Sequence, residues 1–153
     1  MFPITAFTVV FLVNACWFGI AFWYFSITPD RAADLLVPKS ERGSPLLSVV
    51  SASVRFLGGM NLALAVFAIL ILLNRALFPE SRQIALFATV FSLAHATQFL
   101  FNLSIIFGGK RETRSLWPVL RAPMLFIFVI DFVLMLANGI LAIAFTLTGS
   151  GSL

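Results

Sequence analysis

Four apolar segments, at about 4–26, 46–73, 83–107 and 118–147, occupy most of the chain. Each reaches or exceeds the roughly 20 residues that cross a hydrocarbon core at about 1.5 Å of helix rise per residue. A chain built this way has lipid as its solvent. Charge supports the same reading: ten Lys or Arg and six Asp or Glu make up 10% of the 153 residues, against roughly 25% in an ordinary soluble domain. This composition excludes a soluble enzyme of the usual kind, a nucleic-acid-binding module and a disordered tail. The expected fold is all-α: a single domain over 1–153, forming an antiparallel bundle of four transmembrane helices.

The position of the charges turns segments into topology. All sixteen except Arg55 and Asp131 fall within 30–42, 75–82 and 110–121. Arg31, Lys39 and Arg42 lie in the first connection, Arg75 and Arg82 in the second, and Lys110, Arg111 and Arg114 in the third, with Arg121 just inside the fourth segment. The positive-inside tendency therefore predicts loops 27–45 and 108–117 on the cytoplasmic side, with both termini and the second connection opposite. The membrane is a bacterial inner membrane or the endoplasmic reticulum. The first segment lacks a basic n-region and is longer than a signal-peptide core, so it reads as a retained helix. The net charge of +4 belongs to loops that set orientation and touch lipid headgroups, and nucleic acid is not expected as a partner. A lone Cys16 allows no internal disulfide.

Between spans one and two, Thr28-Pro29-Asp30 begins a short interfacial helix that Pro38 stops. Thr28 is expected as its cap and Leu35, Leu36 and Val37 as its membrane-facing residues. Its role is membrane anchoring, or a lid. Gly149-Ser150-Gly151-Ser152 reads as a flexible tail. Trp23, Tyr24 and Trp117 fall near the cytoplasmic boundary as an aromatic belt, with Trp17 deeper.

Polar groups inside the spans carry the functional signal, because an ionisable residue at mid-bilayer normally faces protein or water and pairs. From the cytoplasmic ends, Arg55 lies at about 13 Å, Asn14 and His95 at about 18 Å and Asp131 at about 20 Å by helix rise. His95, Gln98 and Asn102 share one helix face, as do Asp131, Met135 and Asn138, and as do Ser48, Ser51, Arg55 and Gly59. These stripes are expected to face inward, leaving the outward faces to the eighteen phenylalanines and the aliphatic side chains. Ala15 with Gly19, and Gly59 with Ala63, have the spacing of close helix packing. Arg55 and Asp131 are the expected structural ion pair between spans two and four. Asn14, Trp17, Arg55, His95, Gln98 and Asp131 form the candidate ligand-binding set. Were the protein an enzyme, His95 would be acid or base, with Asp131 beside it and Arg55 holding an oxyanion or headgroup. No metal site is expected, since no second histidine or acidic cluster offers ligand spacing. No cofactor is indicated.

Ser53-Val54-Arg55-Phe56-Leu57-Gly58-Gly59, Ser92-Leu93-Ala94-His95 and Phe107-Gly108-Gly109 resemble the pattern of the ergosterol-biosynthesis scaffold family. They also resemble bacterial four-helix membrane proteins of unknown function that carry a similar Arg-x-x-Gly and third-helix polar pattern. The resemblance spans the second to fourth segments and matches Arg55, Gly58 and His95. It implies a non-catalytic membrane tether that gathers the enzymes of sterol C-4 demethylation. Where that family has a glutamate four residues after the histidine, this chain has Phe99, with Gln98 one residue earlier. Together these features lead to the expectation of an accessory or scaffold protein, without a complete catalytic constellation, that packs against membrane lipids, other integral membrane proteins or itself. The alternative is a small membrane enzyme or binding protein for a lipid, sterol, isoprenoid or quinone in a polar pocket within the bundle.

Overall fold

The computed structural model describes residues 2–108, 117–121 and 123–149. Helix α1 (Phe2–Phe22) runs into a π-helical turn at Trp23–Ile27. It is followed by α2 (Pro29–Leu36), α3 (Leu46–Leu73), α4 (Ser81–Gly108) and α5 (Met124–Gly149). The first span, with its π-turn, and helices α3, α4 and α5 are each long and apolar enough to cross a membrane. The protein is an all-α, multi-pass integral membrane bundle of four long helices.

One boundary differs from the sequence expectation for a covalent reason, and one expected cap does not form. The fourth span begins at Met124 instead of 118, because Pro118 and Pro123 lack an amide donor. Residues 117–121 form a tight turn, with Val119 N–H donating to the Trp117 carbonyl and Arg121 N–H to that of Pro118. Helix α2 forms as expected, with proline in its first turn, yet the Thr28 hydroxyl makes no cap. It donates back to the Tyr24 carbonyl at 3.1 Å, which satisfies an acceptor of the preceding π-turn. Asp30 of α2 accepts a hydrogen bond from Ser51 of α3 and ties the short helix to the bundle. The expected basic residues Lys110, Arg111 and Arg114, and residues 150–152 of the tail, lie outside the described residues.

Helices α1 and α3 pack as one pair and α4 and α5 as another. The pairs join through large side chains. Phe7, Phe11, Phe18, Phe91 and Phe145 are buried, and beside them lie the small residues Ala65 and Ala68 of α3 and Ala85 and Ala88 of α4. Ring contacts run through the cluster: Phe7 to Phe11 at 4.5 Å, Phe11 to Phe91 at 5.1 Å and Phe67 to Phe91 at 5.9 Å between centroids. The expectation that phenylalanine would fill the outward faces holds for Phe56, Phe101, Phe107, Phe126 and Phe132, which are exposed, and is corrected for these five buried rings. In lipid an apolar side chain gains nothing from hiding, so packing density selects the core, and rings seated on alanines give dense contact. Apart from Phe18, near the end of α1, these residues come from the first half of α1, the second half of α3, the first half of α4 and the end of α5, so this cluster closes the bundle at the end away from α2.

The inward stripe of α3 is Ser51, Val54, Gly58, Asn61, Ala65 and Ala68. Of the expected stripe of Ser48, Ser51, Arg55 and Gly59 only Ser51 is buried, and the other three are exposed. Gly59 has open space where a Cβ would point, so the close approach expected there belongs to Gly58, which sits against Ser26 of the π-turn. Gly19 likewise opens to space, while Ala15 is buried.

Candidate functional site

At mid-bundle a hydrogen-bonded network joins α1, α4 and α5. Asn14, His95, Asp131 and Asn138 are each 0% exposed. His95 Nδ1 lies 2.9 Å from Asp131 Oδ1, and His95 Nε2 lies 3.0 Å from Asn14 Oδ1. Asn14 Nδ2 donates to Asn138 Oδ1 at 2.9 Å, and Asn138 Nδ2 donates both to Asn14 Oδ1 at 3.1 Å and to the Leu134 carbonyl at 2.8 Å. Trp17 Nε1 donates to Asp131 Oδ1 at 3.3 Å. Phe18 stacks on the imidazole at 4.8 Å between centroids and 18° between planes.

The donor and acceptor roles in this network follow from one backbone group. The Leu134 carbonyl only accepts, so the Asn138 atom facing it is the amide nitrogen. That orients Asn14, whose reciprocal bonds with Asn138 would become oxygen against oxygen if it were flipped. Asn14 therefore presents its oxygen to His95, and Nε2 carries a proton. The Nδ1 to Oδ1 contact then also needs a proton between its atoms, whether held as an imidazolium facing a carboxylate or as a neutral imidazole facing a carboxylic acid. In both arrangements the pair is net neutral. Neutrality explains how an acidic residue sits fully enclosed among helices in hydrocarbon, where an unpaired charge is costly. In both arrangements, too, the proton lies between Nδ1 and Oδ1 and none is on Oδ2, so Oδ2 is an acceptor. Among the described residues Oδ2 has no hydrogen-bond partner.

The structure brings Asn14, Trp17, His95 and Asp131 together as the sequence stripes imply, with Asn138 as a full member. The expected ion pair of Arg55 with Asp131 is absent: Arg55 is exposed on the outer side of α3, and His95 takes its place as the partner. The inward register of α3 is set by Gly58 against Ser26, one residue out of phase with a register that would turn Arg55 inward. The set proposed for catalysis therefore loses one member.

Between the network and α2 lie two adjoining apolar clefts of about 300 and 410 Å³. They share Phe25, Leu35, Gln98 and Ile127. Trp17, Tyr24 and Phe126 complete one of them, and Asn102, Trp117 and Met124 border the other. Gln98, the remaining candidate, thus borders the clefts and stands apart from the network's bonds. Trp117, expected in an aromatic belt, is half-buried, and its Nε1 donates to Asn102 Oδ1 at 3.0 Å, because the turn at 117–121 folds against the bundle with Val119 buried. Sequence reasoning missed this turn, although the spacing of Pro118 and Pro123 marks it. No protein-family model matches the chain, and no curated protein or solved structure matches it.

Proposed function

We propose that this protein binds an amphiphilic, lipid-like molecule in the cleft between α1, α2, α4 and α5, without transforming it. The observation that carries this reading is the placement of the cleft. Its walls are almost entirely apolar, its volume falls in the range of small-molecule sites, and Trp17 belongs both to its wall and to the buried network. The phenylalanine cluster closes the opposite end of the bundle, so access is from the α2 end, with Leu35 of α2 as part of the wall. The basic residues Arg31, Lys39 and Arg42 support a cytoplasmic position for that end. Binding is favoured over catalysis because the network's polar groups bond to one another, leaving a single acceptor open.

The test fills the cleft. Ala21 lines it and is half-buried, and Ala21→Phe adds a ring to the space without touching the network. We expect the wild-type protein to retain a lipid-like molecule through purification, identified by mass spectrometry of the extracted ligand. We expect Ala21→Phe to lose at least nine-tenths of it at unchanged thermal stability. Equal retention by both proteins, or none by the wild type, defeats the proposal.

A second reading, a scaffold for other membrane proteins, is supported by the outer face of α3. Arg55 is exposed there, with the open Gly59 one turn along and Ala63 one turn further. A partner helix with small residues and an acceptor for the guanidinium fits such a face. Arg55→Leu is then expected to reduce co-purification of that partner in mild detergent by about ten-fold, the loss of one charge-assisted bond. Undiminished recovery counts against it.

A further inference from the structure

The open acceptor on Asp131 specifies the chemistry of what the cleft takes, if the cleft binds an amphiphile as proposed above. We propose that the bound molecule ends its apolar part in a hydroxyl group, and that this hydroxyl donates to Asp131 Oδ2.

The argument starts from the network. The Leu134 carbonyl orients Asn138, Asn138 orients Asn14, and Asn14 requires a proton on His95 Nε2. Both protonation patterns that remain leave Oδ2 as an acceptor, 0% exposed and without a partner among the described residues. A buried acceptor in this state is destabilising until a donor arrives. The missing group is therefore a donor, and a ketone, ester or ether would set oxygen against oxygen.

The cleft comes up to the network without including Asp131 in its wall. Ile127 lies one helical turn before Asp131 on α5, and Gln98 less than one turn after His95 on α4, and both line the cleft. Trp17 belongs to that wall and is bonded to Asp131; it is half-buried, and its bond to Oδ1 at 3.3 Å is longer than the usual 2.9 to 3.0 Å of an N–H donor. The proposal requires this indole to turn aside so that the hydroxyl meets the carboxylate. The walls accept an aliphatic or isoprenoid chain, and Phe126, edge-on to Trp17 at 5.8 Å, flanks the approach. A long-chain or isoprenoid alcohol has this shape and this head.

The test compares two probes that differ only in the donor. Geranylgeraniol and its methyl ether are titrated into the purified protein in nanodiscs, and indole fluorescence is read. The alcohol is expected to bind at least ten-fold more tightly than the ether, the ratio that one hydrogen bond to a carboxylate supplies. The double variant His95→Leu with Asp131→Leu, which removes the acceptor and leaves no buried charge behind, is expected to bring the two within about two-fold of each other. Equal binding of both probes to the wild type overturns the hydroxyl inference while leaving the amphiphile reading in place, and points to a water molecule on Oδ2. Binding of neither probe, with no native lipid retained, overturns both. A ten-fold preference that survives in the double variant shows that another group receives the hydroxyl and overturns the assignment to Oδ2. If the double variant fails to fold, the comparison on the wild type decides alone.

Discussion

His95→Ala is expected to lower stability by about 3 to 5 kcal/mol, the cost of leaving one member of a buried pair without its partner. Asp131→Asn is expected to lose only about 1 kcal/mol. The asymmetry follows from the proton count. Without the imidazole, Asp131 keeps a single bond, from Trp17 at 3.3 Å, and Asn14 Oδ1 loses a donor, all inside a site closed to solvent. In Asp131→Asn, the new amide nitrogen takes the place of Oδ1 and donates to Nδ1. The ring becomes the neutral tautomer with its proton on Nε2, and the bond to Asn14 survives. Only the Trp17 N–H is left facing another donor. Replacing both residues, as in His95→Leu with Asp131→Leu, is expected to recover much of the loss of His95→Ala, since a well-packed apolar pair of similar volume is often neutral or stabilising relative to a buried ionic one. The measurement is the unfolding midpoint in detergent followed by circular dichroism, for the single and double variants. If Asp131→Asn proves as damaging as His95→Ala, the pair is not the neutral unit described above.

The fate of Arg55 shows what could be read from this sequence and what could not. Four spans and an interfacial helix were legible because hydrocarbon thickness and the cost of burying charge act on composition and length, which one sequence displays. The network was legible in part for the same reason: Asn14, His95 and Asp131 stand out against apolar surroundings. Which residue meets which depends on helix rotation. In lipid the outer face is as apolar as the core, so the hydrophobic periodicity that marks the inside of a soluble helix is weak here. On α4 and α5 the polar stripes supplied the missing phase, and the inferred faces were right. On α3 the polar residues pointed to a phase that placed Arg55 inward, whereas a glycine determined it. Glycine spacing alone did not distinguish Gly58 from Gly59, because both belong to plausible small-residue patterns and only the tertiary contact separates them. The buried phenylalanines escaped notice for the same reason: a ring has no preference between lipid and core until alanines on neighbouring helices leave room for it.

Gly58→Ala is expected to be among the most damaging single-methyl additions in this chain, lowering stability by about 3 kcal/mol, the upper part of the range for overpacking. Its neighbour Gly59→Ala should be neutral, or stabilising by up to about 1 kcal/mol through helix propensity. A Cβ on Gly58 would collide with the Ser26 side-chain oxygen and come within 2.8 Å of the Ser26 backbone nitrogen and 2.9 Å of its Cβ. Rotation relieves the hydroxyl alone, at the loss of its 3.1 Å bond to the Arg55 carbonyl. The backbone contact remains, so α3 must move from the π-turn. That turn leads directly into α2, which Asp30 also fastens to α3 through Ser51. Separation at Gly58 therefore disturbs the wall of the cleft to which Phe25 and Leu35 contribute, and it should weaken retention of any bound molecule as well as the fold. At Gly59 a new Cβ meets nothing within 4 Å and removes the backbone freedom of glycine from the middle of a helix. Unfolding midpoints of the two variants, one residue apart on one helix, test the rotation of α3 directly. If Gly59→Ala were the damaging variant and Gly58→Ala the benign one, α3 would have to be turned by about 100°, one residue of helical phase, and Arg55 would return to the interior.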